Sequence, residues 1–175
     1  VAAQDSLSFD RHVEHPRGVV HRGGDDPRPV GRERRVIDGR PVPEEDAERL
    51  EPVAARLVAQ APKNAWAHYY AGSLFFIQNR LDLALQAARN AVALDPTHAK
   101  AHNLMGACLA SLGQRDAARA AFEASLKADP RESGTYTNLA TLELQAGNRG
   151  RALHYFAEAL TVDPMSQTAR EGLAA

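Results

Sequence analysis

The pattern of apolar positions changes character near residue 44. Residues 1-43 hold eight arginines, seven acids, prolines and glycines, with no helical period. Such a segment has little apolar surface to bury, so it is expected to be extended or disordered. Within it, Asp38-Gly39 between Val36-Ile37 and Arg40-Pro41 has the chemistry of a hairpin turn, though a lone hairpin is marginal. Apolar residues then return at helical spacing. Leu50, Val53, Ala54, Leu57 and Val58 share one helical face and predict a helix over 44-61, which Pro52 is expected to kink or restart.

Beyond residue 61 the pattern repeats. Pro62, Pro96, Pro130 and Pro164 stand 34 residues apart, and the last three follow Asp95, Asp129 and Asp163. The same step relates Gly72, Gly106 and Ala140, then Ala84, Ala118 and Ala152, then Ala91, Ser125 and Ala159. His68, His102 and Tyr136 keep step too, as do Val92, Leu126 and Leu160. One period reads as a helix of about fourteen residues, a turn, a second helix of similar length, and Asp-Pro as a stop. Gly113 and Gly147 sit in the second and third turns, where the left-handed conformation ends a helix, and Asn79 replaces them in the first. The Gly72, Gly106 and Ala140 column lets the helices of each hairpin approach closely. Ala84, Ala118 and Ala152 are expected to face it, with Phe122 and Phe156 filling the gap.

These columns resemble the tetratricopeptide repeat, whose signature over thirty-four residues is a bulky residue, Leu-Gly, an aromatic, Ala, Phe, Ala and Pro. Three repeats fit, at 65-98, 99-132 and 133-166, and Tyr136, Leu139, Ala140, Ala152, Phe156, Ala159 and Pro164 fill the columns of the third. His68 and His102 depart at the first column, and Ala88 stands where the other repeats have phenylalanine. Helix 44-61 resembles the second helix of a degenerate repeat, and 167-175 the opening of another, with Leu173 and Ala174 in signature columns. The resemblance implies an all-α fold: an α-solenoid, winding as a right-handed superhelix, of three helical hairpins flanked by partial repeats. The expected domain spans 44-175, preceded by the 1-43 segment.

Bulk properties narrow the function. A formal charge of -1 gives no global field that favours nucleic acid or an anionic membrane. No apolar run reaches membrane-spanning length, and residues 1-12 lack the features of a secretion signal. A soluble protein is expected, in the cytoplasm in preference to an exported setting, although the compartment stays open. A first residue of Val is expected of a processed product or a piece of a longer chain. Cys108 is the only cysteine, which excludes an intramolecular disulfide and a thiolate-rich zinc site.

Candidate chemistry is sparse. His98 and His102 are four apart, a spacing compatible with metal on one helix, yet no acid or cysteine completes a set. His12, His15 and His21 lie in the 1-43 segment. Arg32, Arg34 and Arg35 lack the interleaved aromatics of a nucleic-acid site and read as a solvated linker. No phosphate loop, nucleophile elbow or paired catalytic carboxylates stand out, so no catalytic residue, metal or cofactor is assigned.

The family typically binds extended or helical peptides on the concave face formed by the first helix of each repeat. By that resemblance Trp66, Tyr69, Tyr70, Ser73 and Phe76 line the face in the first repeat, Lys100, Asn103 and Ala107 in the second, and Thr137, Asn138 and Thr141 in the third. The large rings of the first repeat are either a binding patch or core covered by helix 44-61 or the N-terminal segment. Members that grip a chaperone's terminal carboxylate use lysine, asparagine and arginine. At the matching columns this chain has Tyr69, Ser73, Leu104, Gly134 and Asn138, of which only Asn138 fits. The expected function is a protein-protein interaction module or scaffold holding a protein or peptide segment. The alternative is a regulatory or substrate-recruiting appendage of an enzyme whose catalytic domain lies outside this chain. Exposed terminal helices offer a route to self-association.

Overall fold

A computed structural model of the chain describes residues 36-37, 40-41 and 44-174. Two short strands, β1 (Val36–Ile37) and β2 (Arg40–Pro41), pair antiparallel, with Val36 opposite Pro41 and Ile37 opposite Arg40. The remaining expectations for 1-43, including His12, His15, His21 and the Arg32, Arg34, Arg35 cluster, lie outside the described residues.

Eight helices follow among the described residues. They are α1 (Glu44–Gln60), α2 (Ala65–Ile77), α3 (Leu81–Leu94), α4 (Ala99–Ser111), α5 (Arg115–Ala128), α6 (Ser133–Gln145), α7 (Arg149–Val162) and α8 (Gln167–Ala174). Each packs on the next, and α2-α3, α4-α5 and α6-α7 form the three hairpins of an α-solenoid. α1 runs through Pro52 as one helix and does not restart there. The side chain of Leu50 lies outside the described residues. Of the other residues expected on its face, Ala54 is fully buried and Leu57 and Val58 are half-buried, whereas Val53 is exposed.

Local chemistry explains why every hairpin turns where it does. Asn79, Gly113 and Gly147 take φ of 58°, 77° and 79°, so the chain reverses out of the first helix at each. The following amides then bond back across the helix end: Arg80 N–H to the Phe75 carbonyl at 2.9 Å, Gln114 to Leu109 at 2.9 Å and Asn148 to Glu143 at 2.8 Å. The stops repeat as faithfully. Asp95, Asp129 and Asp163 each accept, on Oδ1, the amide two residues on, from Thr97, Arg131 and Met165 at 2.9 to 3.0 Å. Those carboxylates spend their acceptors on the turn over the proline.

The departures from the repeat signature have a common explanation. Nε2 of His68 donates to the Pro62 carbonyl at 2.8 Å, and Nε2 of His102 donates to the Pro96 carbonyl at 2.9 Å. Arg170, two periods beyond His102, reaches the Pro164 carbonyl. A polar side chain in this column therefore ties its helix to the preceding proline. In the hairpins, Phe122 and Phe156 are buried as expected, and a Cβ on Gly106 would lie 2.5 Å from the Phe122 ring. Ala88 is too short to do the same in the first repeat. Leu104 of α4 fills in, its Cδ2 3.0 Å from where a Cβ on Gly72 would stand.

Ties between hairpins are polar as well as apolar. Ser125 donates to the Ala99 carbonyl of its own hairpin at 2.9 Å and meets Thr135 Oγ1 of the next at 2.8 Å, with both hydroxyl residues fully buried. Glu143, fully buried on α6, pairs with Arg119 of α5 and accepts from Asn148 Nδ2 at 2.8 Å. Burial pushes its carboxyl upward, but the bonds from Arg119 and Asn148 outweigh that and hold it below the usual carboxylate range.

Candidate functional site

The first helices of the hairpins touch one another directly, α2 against α4 and α4 against α6. Side chains on that side of neighbouring repeats therefore share one continuous surface. Asn138 Nδ2 donates to Asn103 Oδ1 at 2.9 Å across it. Ala107, Asn138 and Thr141 line a single cleft of about 100 Å³ between α4 and α6, together with Ser111 and Gln145, over a floor that includes Phe122 and Leu142. Thr137 and Thr141 turn their hydroxyls to their own helix, onto the carbonyls of Gly134 and Thr137 at 2.8 and 2.9 Å.

At the α2 end the surface is aromatic. Asn64 caps α2 by accepting from the Trp66 amide at 2.9 Å, which sets Trp66, Tyr69 and Tyr70 in the first turns. Trp66 meets Tyr69 edge-on at 5.7 Å between centroids and Tyr70 at 5.8 Å with a 33° tilt. The five expected residues of this helix divide. Trp66 and Tyr70 are 45% and 50% exposed, whereas Tyr69 and Phe76 pack on the central core beside Leu104 and Cys108. Ser73 turns its hydroxyl onto the Tyr69 carbonyl at 3.0 Å. Exposure thus divides the aromatic stripe, because the packed core covers only one edge of it.

Lys100 stands in an ion pair with Glu132 at 3.3 Å, and the Glu132 charge raises the lysine's pKa. Glu132 escaped the sequence reading, and His98 entered it only as one half of an incomplete metal pair with His102. His98 is the N-cap of α4, with Nδ1 accepting the Ala101 amide at 3.2 Å. Its ring lies 4.3 Å from that of Trp66 and 5.3 Å from that of Tyr69. Burial depresses its pKa, only partly opposed by Asp95, and the neutral ring is favoured. His102 points instead to Pro96, so the two histidines do not converge. Among the described residues no group of three or more His, Cys, Asp or Glu could hold a metal ion, and no helix is long and apolar enough to cross a membrane.

Hairpins of two helices repeated at a fixed step define a helical-repeat scaffold. Models of the tetratricopeptide repeat match residues 75–141 and 137–175. The chain belongs to the tetratricopeptide repeat family. No curated protein matches it in sequence. Among solved structures it is similar to MamA, at 16% identity and a TM-score of 0.63, over 74% of this chain and 76% of that one. It is also similar to YrrB, described as a tetratricopeptide repeat protein with an unusual peptide-binding site, at 23% identity and a TM-score of 0.64, over 75% and 68% of the two chains. A third is the first repeat domain of Spaghetti (RPAP3) bound to the HSP90 peptide SRMEEVD, at 14% identity and a TM-score of 0.60, over 63% and 88%. At these identities the likeness is one of fold. Family membership makes the chain a protein-interaction module.

Proposed function

We propose that the chain holds a peptide or protein segment on the face formed by α2, α4 and α6, with 44-175 as the repeat domain and 1-43 as a separate segment. The observation that carries this reading is the direct contact among the three first helices. It joins Trp66, Tyr69 and Tyr70, through Lys100, Asn103 and Ala107, to Thr137, Asn138 and Thr141, as the concave face of a repeat solenoid requires. A protein or peptide suits it better than nucleic acid, because the one described lysine on it is paired with Glu132. The neighbour that binds SRMEEVD meets an acidic peptide. At the columns where chaperone-tail binders carry lysine, asparagine and arginine this chain has Tyr69, Ser73, Leu104, Gly134 and Asn138, of which only Asn138 fits, so an acidic tail is disfavoured.

Ala107→Arg fills the cleft beside Asn138 without opening a cavity. Peptides selected from a random library for binding to the chain should lose affinity for this variant while its melting temperature stays unchanged. Binders that hold equally well, and protect residues of α3 and α5 in hydrogen exchange, would move the site to the other face. Exposed Val53 on α1 and Leu173 on α8 leave the ends open to stacking between copies. Sedimentation over a range of concentrations reads that association directly.

A further inference from the structure

We propose that Trp66, Tyr69, Tyr70 and His98 form a recognition site for a proline-rich segment in the polyproline conformation, with His98 Nε2–H donating to one of its carbonyls. This rests on the face formed by α2, α4 and α6 being the binding face, and it names the class of ligand at one end of it.

The argument begins with the imidazole. His98 is 5% exposed, and its Nδ1 is occupied by the Ala101 amide, so the neutral ring carries its proton on Nε2. That nitrogen is buried and has no hydrogen-bond partner among the described residues. An orphaned buried donor is costly, and the group that would satisfy it is an oxygen acceptor. Rings stand around it, Trp66 at 4.3 Å and Tyr69 at 5.3 Å, and the Trp66 ring is 45% exposed. A ligand oxygen reaches Nε2 when that half-solvated indole turns aside.

The rest of the patch defines the ligand by what it lacks. Lys100 and Glu132 neutralise each other at 3.3 Å, so an acidic side chain finds no free cation, and the Asp95 carboxylate beside His98 already accepts from the Thr97 amide and hydroxyl. Two exposed rings 5.8 Å apart and tilted by 33° make a platform for flat apolar surface. A polyproline segment is apolar, has carbonyls facing outward, has no proline N–H to leave unpaired, and loses little entropy on docking. With the Trp66 indole turned aside, one proline can seat on Tyr70 and the next against the displaced indole, while the carbonyl between them meets His98.

Trp66 is the only tryptophan, so its emission reports this patch alone. Titrating a ten-residue proline peptide into the full chain should shift Trp66 emission saturably and move the His98 Nε2–H resonance. A Gly-Ser peptide of the same length should do neither. His98→Asn keeps an oxygen to cap α4 but cannot reach the platform, and its affinity for the proline peptide should fall about tenfold with the helical signal intact. A silent Trp66, an equal response to Gly-Ser, or full affinity in His98→Asn would each overturn the proposal. If His98→Asn fails to fold, the resonance of the wild-type ring decides alone. Library peptides that bind at the Asn103 and Asn138 cleft, where the proline peptide leaves Trp66 unmoved, would sink this inference and keep the binding face.

Discussion

Gly106→Ala tests whether the small-residue column is a packing requirement or a tolerance. A Cβ at this position would lie 2.5 Å from Cδ1 and Cε1 of Phe122, well inside contact distance. Phe122 is 1% exposed, so its rigid ring has nowhere to retreat. Overpacking a filled core costs about 1-3 kcal/mol, and a rigid ring met this closely belongs at the upper end. Alanine returns about 1 kcal/mol over glycine in a helix interior. The net expectation is a loss of about 2 kcal/mol. Gly72→Ala provides the contrast, because its tightest neighbour is the Leu104 methyl at 3.0 Å, the far end of a flexible side chain, with the Ala84 carbonyl and Ala87 Cβ next at 3.2 Å. There the helix gain and the crowding nearly cancel. Urea unfolding followed by circular dichroism should show an earlier midpoint at constant slope for Gly106→Ala alone. Adding Phe122→Leu to Gly106→Ala should recover part of the loss through direct coupling. A Gly106→Ala chain as stable as wild type would refute the close approach of α4 and α5.

Arg119→Ala strands the buried Glu143 carboxylate and should cost about 3 kcal/mol, the low end for a broken buried pair because Arg119 keeps 31% of its side chain in solvent. Since the pair holds Glu143 below its ordinary value of 4.5, the stability it supplies is present above that value and lost as pH falls through the lowered one. Unfolding midpoints measured from pH 7 to pH 3 should therefore converge for wild type and Arg119→Ala at the acid end. Gly113→Ala and Gly147→Ala should each cost about 1 kcal/mol from positive φ alone, since nothing lies within 4 Å of either Cβ; a neutral result in thermal melts would contradict left-handed turns. Trp66→Ala and Tyr70→Ala should leave the melting temperature nearly unchanged, whereas Phe76→Ala lowers it, at a cost in stability below the roughly 3-5 kcal/mol of a fully buried ring. Equal losses in all three would mean the exposed rings are also core.

The sequence by itself determined everything that closes within one repeat. Left-handed turns at Asn79, Gly113 and Gly147, aspartate turns at Asp95, Asp129 and Asp163, and the small column facing Phe122 are local or confined to one hairpin, and a step of 34 residues displays them three times over. The histidines of the first column needed only the next link: each reaches a proline carbonyl six residues earlier, a bond visible once a helix follows that proline. Tertiary structure decided the rest, because stacking sets which side chains of different hairpins meet. Arg119 finds Glu143, Asn103 finds Asn138, and His98 comes under Trp66 only when neighbouring hairpins lie at their packed distance. The same stacking divided the aromatic stripe. Helical period puts Trp66, Tyr69, Tyr70 and Phe76 on one broad side of α2, and the core around Leu104 and Cys108 takes Tyr69 and Phe76 while Trp66 and Tyr70 stay in solvent.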